Sequence, residues 1–117
     1  MIWTLYLPGF IPTPLNQLMG SWKKAMRLKA HDAEIIRNAC LAYAVPQANV
    51  KRRVSLLVVW PPGRRACDPD ALYKSTFDAL AGCGLLVDDS AKWVRFDQPE
   101  YARGSHAATY ITISDES

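Results

Sequence analysis

Four aspartates and a lysine are the residues best equipped for chemistry: Asp68, Asp70, Asp88 and Asp89, with Lys74 set between the two halves. They occur in Arg64-Arg65-Ala66-Cys67-Asp68-Pro69-Asp70-Ala71-Leu72-Tyr73-Lys74 and in Val87-Asp88-Asp89-Ser90. Carboxylates are the ligands a hard divalent cation prefers. Mg²⁺ typically takes one or two of them and completes its shell with water and a substrate phosphate. Mn²⁺ accepts the same oxygen donors.

The charge balance points the same way. The net charge of +3 is unevenly spread. Residues 1–65 carry ten Lys/Arg against Asp32 and Glu34, whereas residues 66–117 carry four Lys/Arg against nine acids. Acids that hold a metal, beside a surface that attracts phosphate, describe a metal-dependent enzyme acting on a nucleic acid backbone. The plainer explanation is an ordinary solvated surface whose signs happen to segregate.

The elements that must position these groups follow from the pattern. With 117 residues, half of them hydrophobic, the chain fits one domain over 1–117 with a real core. Residues 2–7 read as a strand, and Pro8 to Pro14 as an extended loop. Ser21 is the expected N-cap of a long basic helix that places Leu28, Ile35, Ala39 and Tyr43 on one face and ends at Pro46. Val54 to Trp60, apolar on both faces, is expected to be central in the sheet. Pro61 to Arg65 is an exposed basic loop. A second helix is expected from about Asp70 to Ala81, stopped by Gly82 and Gly84. Trp93–Asp97 and Ala108–Ile113 complete the strands, with Gln98–His106 a loop or hairpin turn between them. The order β-α-β-α-β-β gives an α+β fold with a mixed sheet and helices packed on it.

On the second helix Leu72, Tyr73, Thr76, Phe77 and Leu80 share the side expected to be buried, and Asp70, Lys74 and Asp78 form a polar stripe on the other. Asp68 lies just before the helix, where Pro69 suits the first turn and the helix dipole favours negative charge. An N-terminal cap with an i,i+4 Asp70–Lys74 pair explains part of this set without any function. It does not explain Asp88-Asp89. Asp78, two turns on from Asp70, reads as a surface or structural group. The candidates for phosphate contacts are Lys23, Lys24, Arg27, Arg64 and Arg65, which would position a nucleic acid backbone without reading its sequence.

Asp68-Pro69-Asp70, then Lys74, then Phe77-Asp78-Ala79-Leu80, then Asp88-Asp89, resembles the RusA family of Holliday junction resolvases of bacteria and their prophages. The family pattern is D-x-D-N, a Lys four residues after the second Asp, F/I-D-A/G-L, and a closing D-D about nineteen residues on. The opening is also similar: a strand, a Pro-rich loop with Leu15-Asn16-Gln17-Leu18, and Trp22-Lys23-Lys24 leading a basic helix. The resemblance implies metal-binding and catalytic roles for Asp68, Asp70 and Asp89, and a catalytic role for Lys74. It also implies Mg²⁺ as cofactor, four-way junction DNA as substrate, and a homodimer that nicks two strands symmetrically. Ala71 replaces the family's Asn, and Cys67 stands where a basic residue often precedes the first Asp.

Two rival classes fit less of the sequence. One is a DNA-binding module of the same fold without nuclease activity, suggested by Ala71. The other is a phosphotransferase or sugar-nucleotide enzyme using D-x-D, disfavoured by the absence of a glycine-rich phosphate loop. His31 and His106 are isolated and read as surface or satisfied residues. Cys40, Cys67 and Cys83 lie in no metal-binding spacing, so reduced, cytoplasmic thiols are expected, with Cys67 a small buried hydrophobe. The start of the chain lacks a secretory pattern, and no apolar run is long enough to span a membrane.

Overall fold

A computed structural model describes residues 1–14, 20–66, 69–88 and 90–116, with the side chains of Pro69 and Asp70 outside the description. The elements are β1 (Ile2–Pro8), α1 (Trp22–Ala42), β2 (Arg52–Trp60), a 3₁₀ turn (Pro69–Leu72), α2 (Tyr73–Gly82), β3 (Val94–Phe96), β4 (Glu100–Arg103) and β5 (Ala108–Asp115). The fold is α+β: one mixed five-stranded sheet in the order β1-β5-β2-β3, with β4 also on β2. β1 and β2 flank β5 antiparallel, while β3 and β4 run parallel to β2. β2 is therefore central, as its two-faced apolar pattern predicts.

The segment between the last two expected strands is more regular than its sequence suggests. β3 and β4 are two pieces of one edge strand broken by a bulge. From Val54 to Leu57, β2 advances three residues while the edge advances four, from Phe96 to Glu100. Pro99, which has no N–H to donate, sits in the break, so the ladder is interrupted there rather than ended.

Both helices cover the same face of the sheet. Leu5 and Leu7 of β1, Val54 and Leu56 of β2, and Ile111 and Ile113 of β5 form one core with Ile36 and Cys40 of α1 and Ala79 and Leu80 of α2. The alternate residues Thr4, Tyr6, Ser55, Tyr110 and Thr112 stand on the uncovered face. There Tyr6 meets Tyr110 and Thr4 meets Thr112 across the β1–β5 ladder.

The α1 face differs from the expected stripe. Ser21 caps the helix through Lys24 N, as expected, but the buried positions are Ala25, Asp32, Ile36 and Cys40. The inward face is turned by about one residue from Leu28, Ile35, Ala39 and Tyr43. Asp32 can occupy it because its carboxylate accepts a hydrogen bond from Thr13 N at 2.8 Å, in the Pro-rich loop. Ser75 of α2 donates to Thr13 O, so this loop is clamped between the two helices. Tyr43 lies beyond the helix and accepts from Tyr6 N through its hydroxyl.

Both helices end in the same paired-bond motif. After α1, Val45 N donates to Cys40 O and Ala44 N to Leu41 O; after α2, Leu85 N donates to Leu80 O and Gly84 N to Ala81 O. Each motif places one residue in the left-handed region, Gly84 at φ +80° and Ala44 at φ +54°. Neither helix has a basic residue in its last turn. Arg52 supplies that charge from the sheet, donating to Pro46 O and Leu85 O and pairing with Asp115 at 2.9 Å.

Candidate functional site

The residues expected to hold a cation are carried by two backbone segments. Asp70 belongs to the 3₁₀ turn that opens into α2. Leu72 anchors that turn, fully buried with Ile11, Val58 and Trp60 where β2 ends. Asp88 follows the buried pair Leu85-Leu86 and precedes a turn in which Trp93 N and Val94 N both donate to Ser90 O. Arg52 N donates to Trp93 O, so this second segment joins the sheet where β2 begins. The anchors of the two acidic segments therefore lie toward opposite ends of α2, a helix of about 15 Å at its ten-residue length. Asp68, Asp89 and the Asp70 side chain lie outside the described residues. Asp88 is described and exposed. Among the described residues no group of His, Cys, Asp or Glu is arranged to hold a metal.

Lys74 is exposed on the first turn of α2, and its ammonium lies 3.2 Å from Asp78. The expected pairing with Asp70 involves a side chain outside the described ones; among the described groups Lys74 meets Asp78, one turn further along. Asp78 also meets Lys29 of α1 at 3.7 Å, so it ties the two helices together at the surface. That makes it structural, as its spacing from Asp70 suggested. The Lys74–Asp78 pair is exposed and i,i+4, a geometry worth a few tenths of a kcal/mol, so it does not fix the lysine strongly.

The five candidate DNA contacts are all exposed. Lys23, Lys24 and Arg27 occupy the first two turns of α1, and Arg64 and Arg65 the loop after β2. The helix directions bring these segments to one end of the fold. The carboxyl ends of α1 and α2 meet at Arg52, and Ala48 N donates to Gly84 O between them. Both helices therefore start where β2 ends. The basic start of α1, the Arg64–Arg65 loop and the turn containing Asp70 share that end.

Sequence reasoning missed Arg103 and the settings of Trp22 and Arg64. Trp22 is 72% exposed among the α1 bases, although its type favours burial. Arg103 donates to Pro61 O and Arg64 O and so shapes the basic loop. Arg64 lies with its guanidinium 5.4 Å from the Trp60 ring centre, a cation–π contact that orients it.

The segregation of charge along the chain is partly undone in space. Among the described residues, four of the ten N-terminal bases pair with acids of the other half: Lys29 with Asp78, Lys51 with Glu116, Arg52 with Asp115 and Arg53 with Asp97. Arg52 is 2% exposed and structural rather than available to a ligand. Asp97, at the bulge, accepts from Arg53 and from Ser55, and these bonds hold its carboxyl below its usual range. It lines a shallow concavity of about 330 Å³ on the uncovered sheet face with Ser55, Glu100, Tyr110 and Thr112. Because Asp97 already has its basic partner, its role is explained by the edge strand.

No model of a known protein family matches the chain, and no curated protein matches it in sequence. Among the described residues no helix is long and apolar enough to cross a membrane.

Proposed function

We propose that the chain is a RusA-like, metal-dependent endodeoxyribonuclease that resolves four-way DNA junctions as a cytoplasmic homodimer. The observation that carries this reading is the sharing of one end of the fold by the exposed bases and the turn that bears Asp70. Lys23, Lys24, Arg27 and Arg65 would grip phosphates electrostatically, and Arg64 would do so from its seat on Trp60. An exposed Trp22 among these bases suits contact with an unstacked base near a branch point.

Asp68, Asp70 and Asp89 would hold the cation. As an all-carboxylate donor set they suit Mg²⁺, with Mn²⁺ as a substitute. Bound there, a divalent cation supplies Lewis acidity at the phosphodiester and a counter-charge for the leaving oxygen. Lys74, loosely held by Asp78, can turn its ammonium toward a phosphate oxygen as negative charge grows there. The reading requires Asp89 to reach the cation held by Asp68 and Asp70, from a segment anchored toward the other end of α2.

The test is cleavage of a labelled four-way junction and a matched linear duplex by purified protein, with and without Mg²⁺. The reading expects paired nicks in the junction only with the metal, and little cutting of the duplex. Binding without cutting would instead leave a DNA-binding module of the same fold. Failure to bind either DNA at low salt would overturn the reading altogether.

A further inference from the structure

Two of the three cysteines meet where the carboxyl ends of the helices converge. Cys40 is 5% exposed in the last turns of α1, and Cys83 is the C-terminal cap of α2, partly exposed and packed against the same core. The two side chains share that core, Cys40 within it and Cys83 packed against it, and each thiol feels the other. Cys83 also opens onto a cleft of about 460 Å³ between the helices, lined by Ala33, Glu34, Arg37, Asn38 and Gly82. Cys40 thus has a partner but no route to solvent of its own, and Cys83 has both.

We propose that Cys83 and Cys40 form an oxidisable dithiol, in which Cys83 reacts with a small hydroperoxide entering the cleft and Cys40 resolves the product into a disulfide joining α1 to α2. In the first step the Cys83 sulfur attacks the terminal peroxide oxygen. A sulfur–oxygen bond forms, the oxygen–oxygen bond breaks, and the departing alkoxide leaves as the alcohol after taking a proton. The Cys40 sulfur then attacks Cys83, a sulfur–sulfur bond forms, and hydroxide leaves with the Cys40 proton as water. The pair of thiols loses two electrons and the hydroperoxide gains them.

The surroundings divide the roles. In its thiol form Cys83 donates to Ala79 O. The neighbouring Cys40 thiol, with backbone N–H groups and the Arg37 charge, favours the ionised form of Cys83 and lowers its pKa. The same contact and burial push the Cys40 thiol well above its ordinary range. Cys83 opens onto the cleft while Cys40 is buried, so Cys83 is the thiol a small oxidant reaches first. When its sulfur carries oxygen, the neighbouring negative charge is gone, and Cys40 ionises more easily.

The experiment treats the full-length wild-type protein with hydrogen peroxide, blocks remaining thiols and maps them by mass spectrometry. The expected product is a Cys40–Cys83 linkage, two hydrogens lighter than the reduced pair, formed at least about fivefold faster than any change at Cys67. In Cys40→Ala, dimedone should trap Cys83 as the sulfenic acid. Linkage of either cysteine to Cys67 instead, or both thiols alkylated unchanged in the wild type, would overturn the proposal. Because the wild-type protein carries the decisive measurement, a poorly folded variant does not obscure it. The outcome is independent of DNA cleavage.

Discussion

At the scale of single residues, Asp70, Lys74 and Asp97 lead to separate measurements. Asp70→Asn keeps the side-chain shape and removes the charge proposed to anchor the cation, so it should abolish junction cleavage while leaving binding nearly unchanged. Asp68→Asn and Asp89→Asn should do the same, with Asp88 less sensitive. Mn²⁺ titration distinguishes their contributions. Loss of Mn²⁺ affinity in Asp70→Asn with full affinity in Asp89→Asn would remove Asp89 from the ligand set. For Lys74→Ala, loss of a preorganised charge predicts a fall of about 10²-fold in single-turnover rate. Loss of its exposed pair with Asp78 predicts a stability change well under about 1 kcal/mol. A normal rate with a slightly lower melting temperature would make Lys74 purely structural. Asp97 makes a test in pH. Arg53 and Ser55 hold its carboxyl below its usual range, so folding keeps it ionised to lower pH than in the unfolded chain. That stabilisation is complete above the unfolded value of about 4 and is lost as pH falls through the lower folded value. Melting temperatures of wild type and Asp97→Asn should therefore differ at pH 5–7 and converge in stronger acid.

At the scale of elements, the matched ends of α1 and α2 predict opposite results from opposite substitutions. Ala44 holds a left-handed backbone that costs a residue with a Cβ about 1 kcal/mol or more, so Ala44→Gly should stabilise the protein by up to about 1 kcal/mol in urea melts. Gly84 occupies the equivalent place after α2, and a Cβ there would meet the Gln47 side chain at 3.3 Å. Gly84→Ala should consequently destabilise by about 1–2 kcal/mol, with strain and crowding acting together. Equal effects of the same sign would show that the ends are not built alike. These positions also show what was legible in sequence. Gly82 and Gly84 announced the end of α2, and Ser21 announced the start of α1, because capping needs those residue types. The end of α1 was read at Pro46, a few residues beyond Ala42, because Ala44 does what glycine normally does. Its inward face was misread by a residue because Asp32, a charged residue, is buried by a tertiary bond to Thr13 that no periodicity can reveal. β4 escaped for a related reason: Pro99 breaks the edge strand, and only its register against β2 shows that the strand resumes. The acids of the candidate site were legible as types and spacing. Their arrangement about a cation is a matter of three-dimensional placement that spacing does not supply.

For the whole molecule, the decisive quantity is how much positive charge the fold leaves available to a polyanion. Counting along the chain overstates it, since Lys29, Lys51, Arg52 and Arg53 pair with acids from the second half. Lys23, Lys24, Arg27, Arg37, Arg64 and Arg65 are exposed and have no carboxylate partner among the described residues. Five of the six are the proposed contacts at the end where both helices start, while Arg37 lies further along α1 beside the cleft of Cys83. If about six phosphates of a junction are neutralised, the logarithm of the binding constant should fall against the logarithm of salt with a slope of roughly −5. Replacing Lys23 and Lys24 together with alanine should flatten the slope by about 2, whereas replacing Lys51 should leave it nearly unchanged because Glu116 already engages it. Fluorescence anisotropy across a salt series measures all three. A slope near zero in the wild type would reduce the basic surface to solvated charge. A loss at Lys51 equal to that at Lys23 and Lys24 would place the DNA on the other end of the fold.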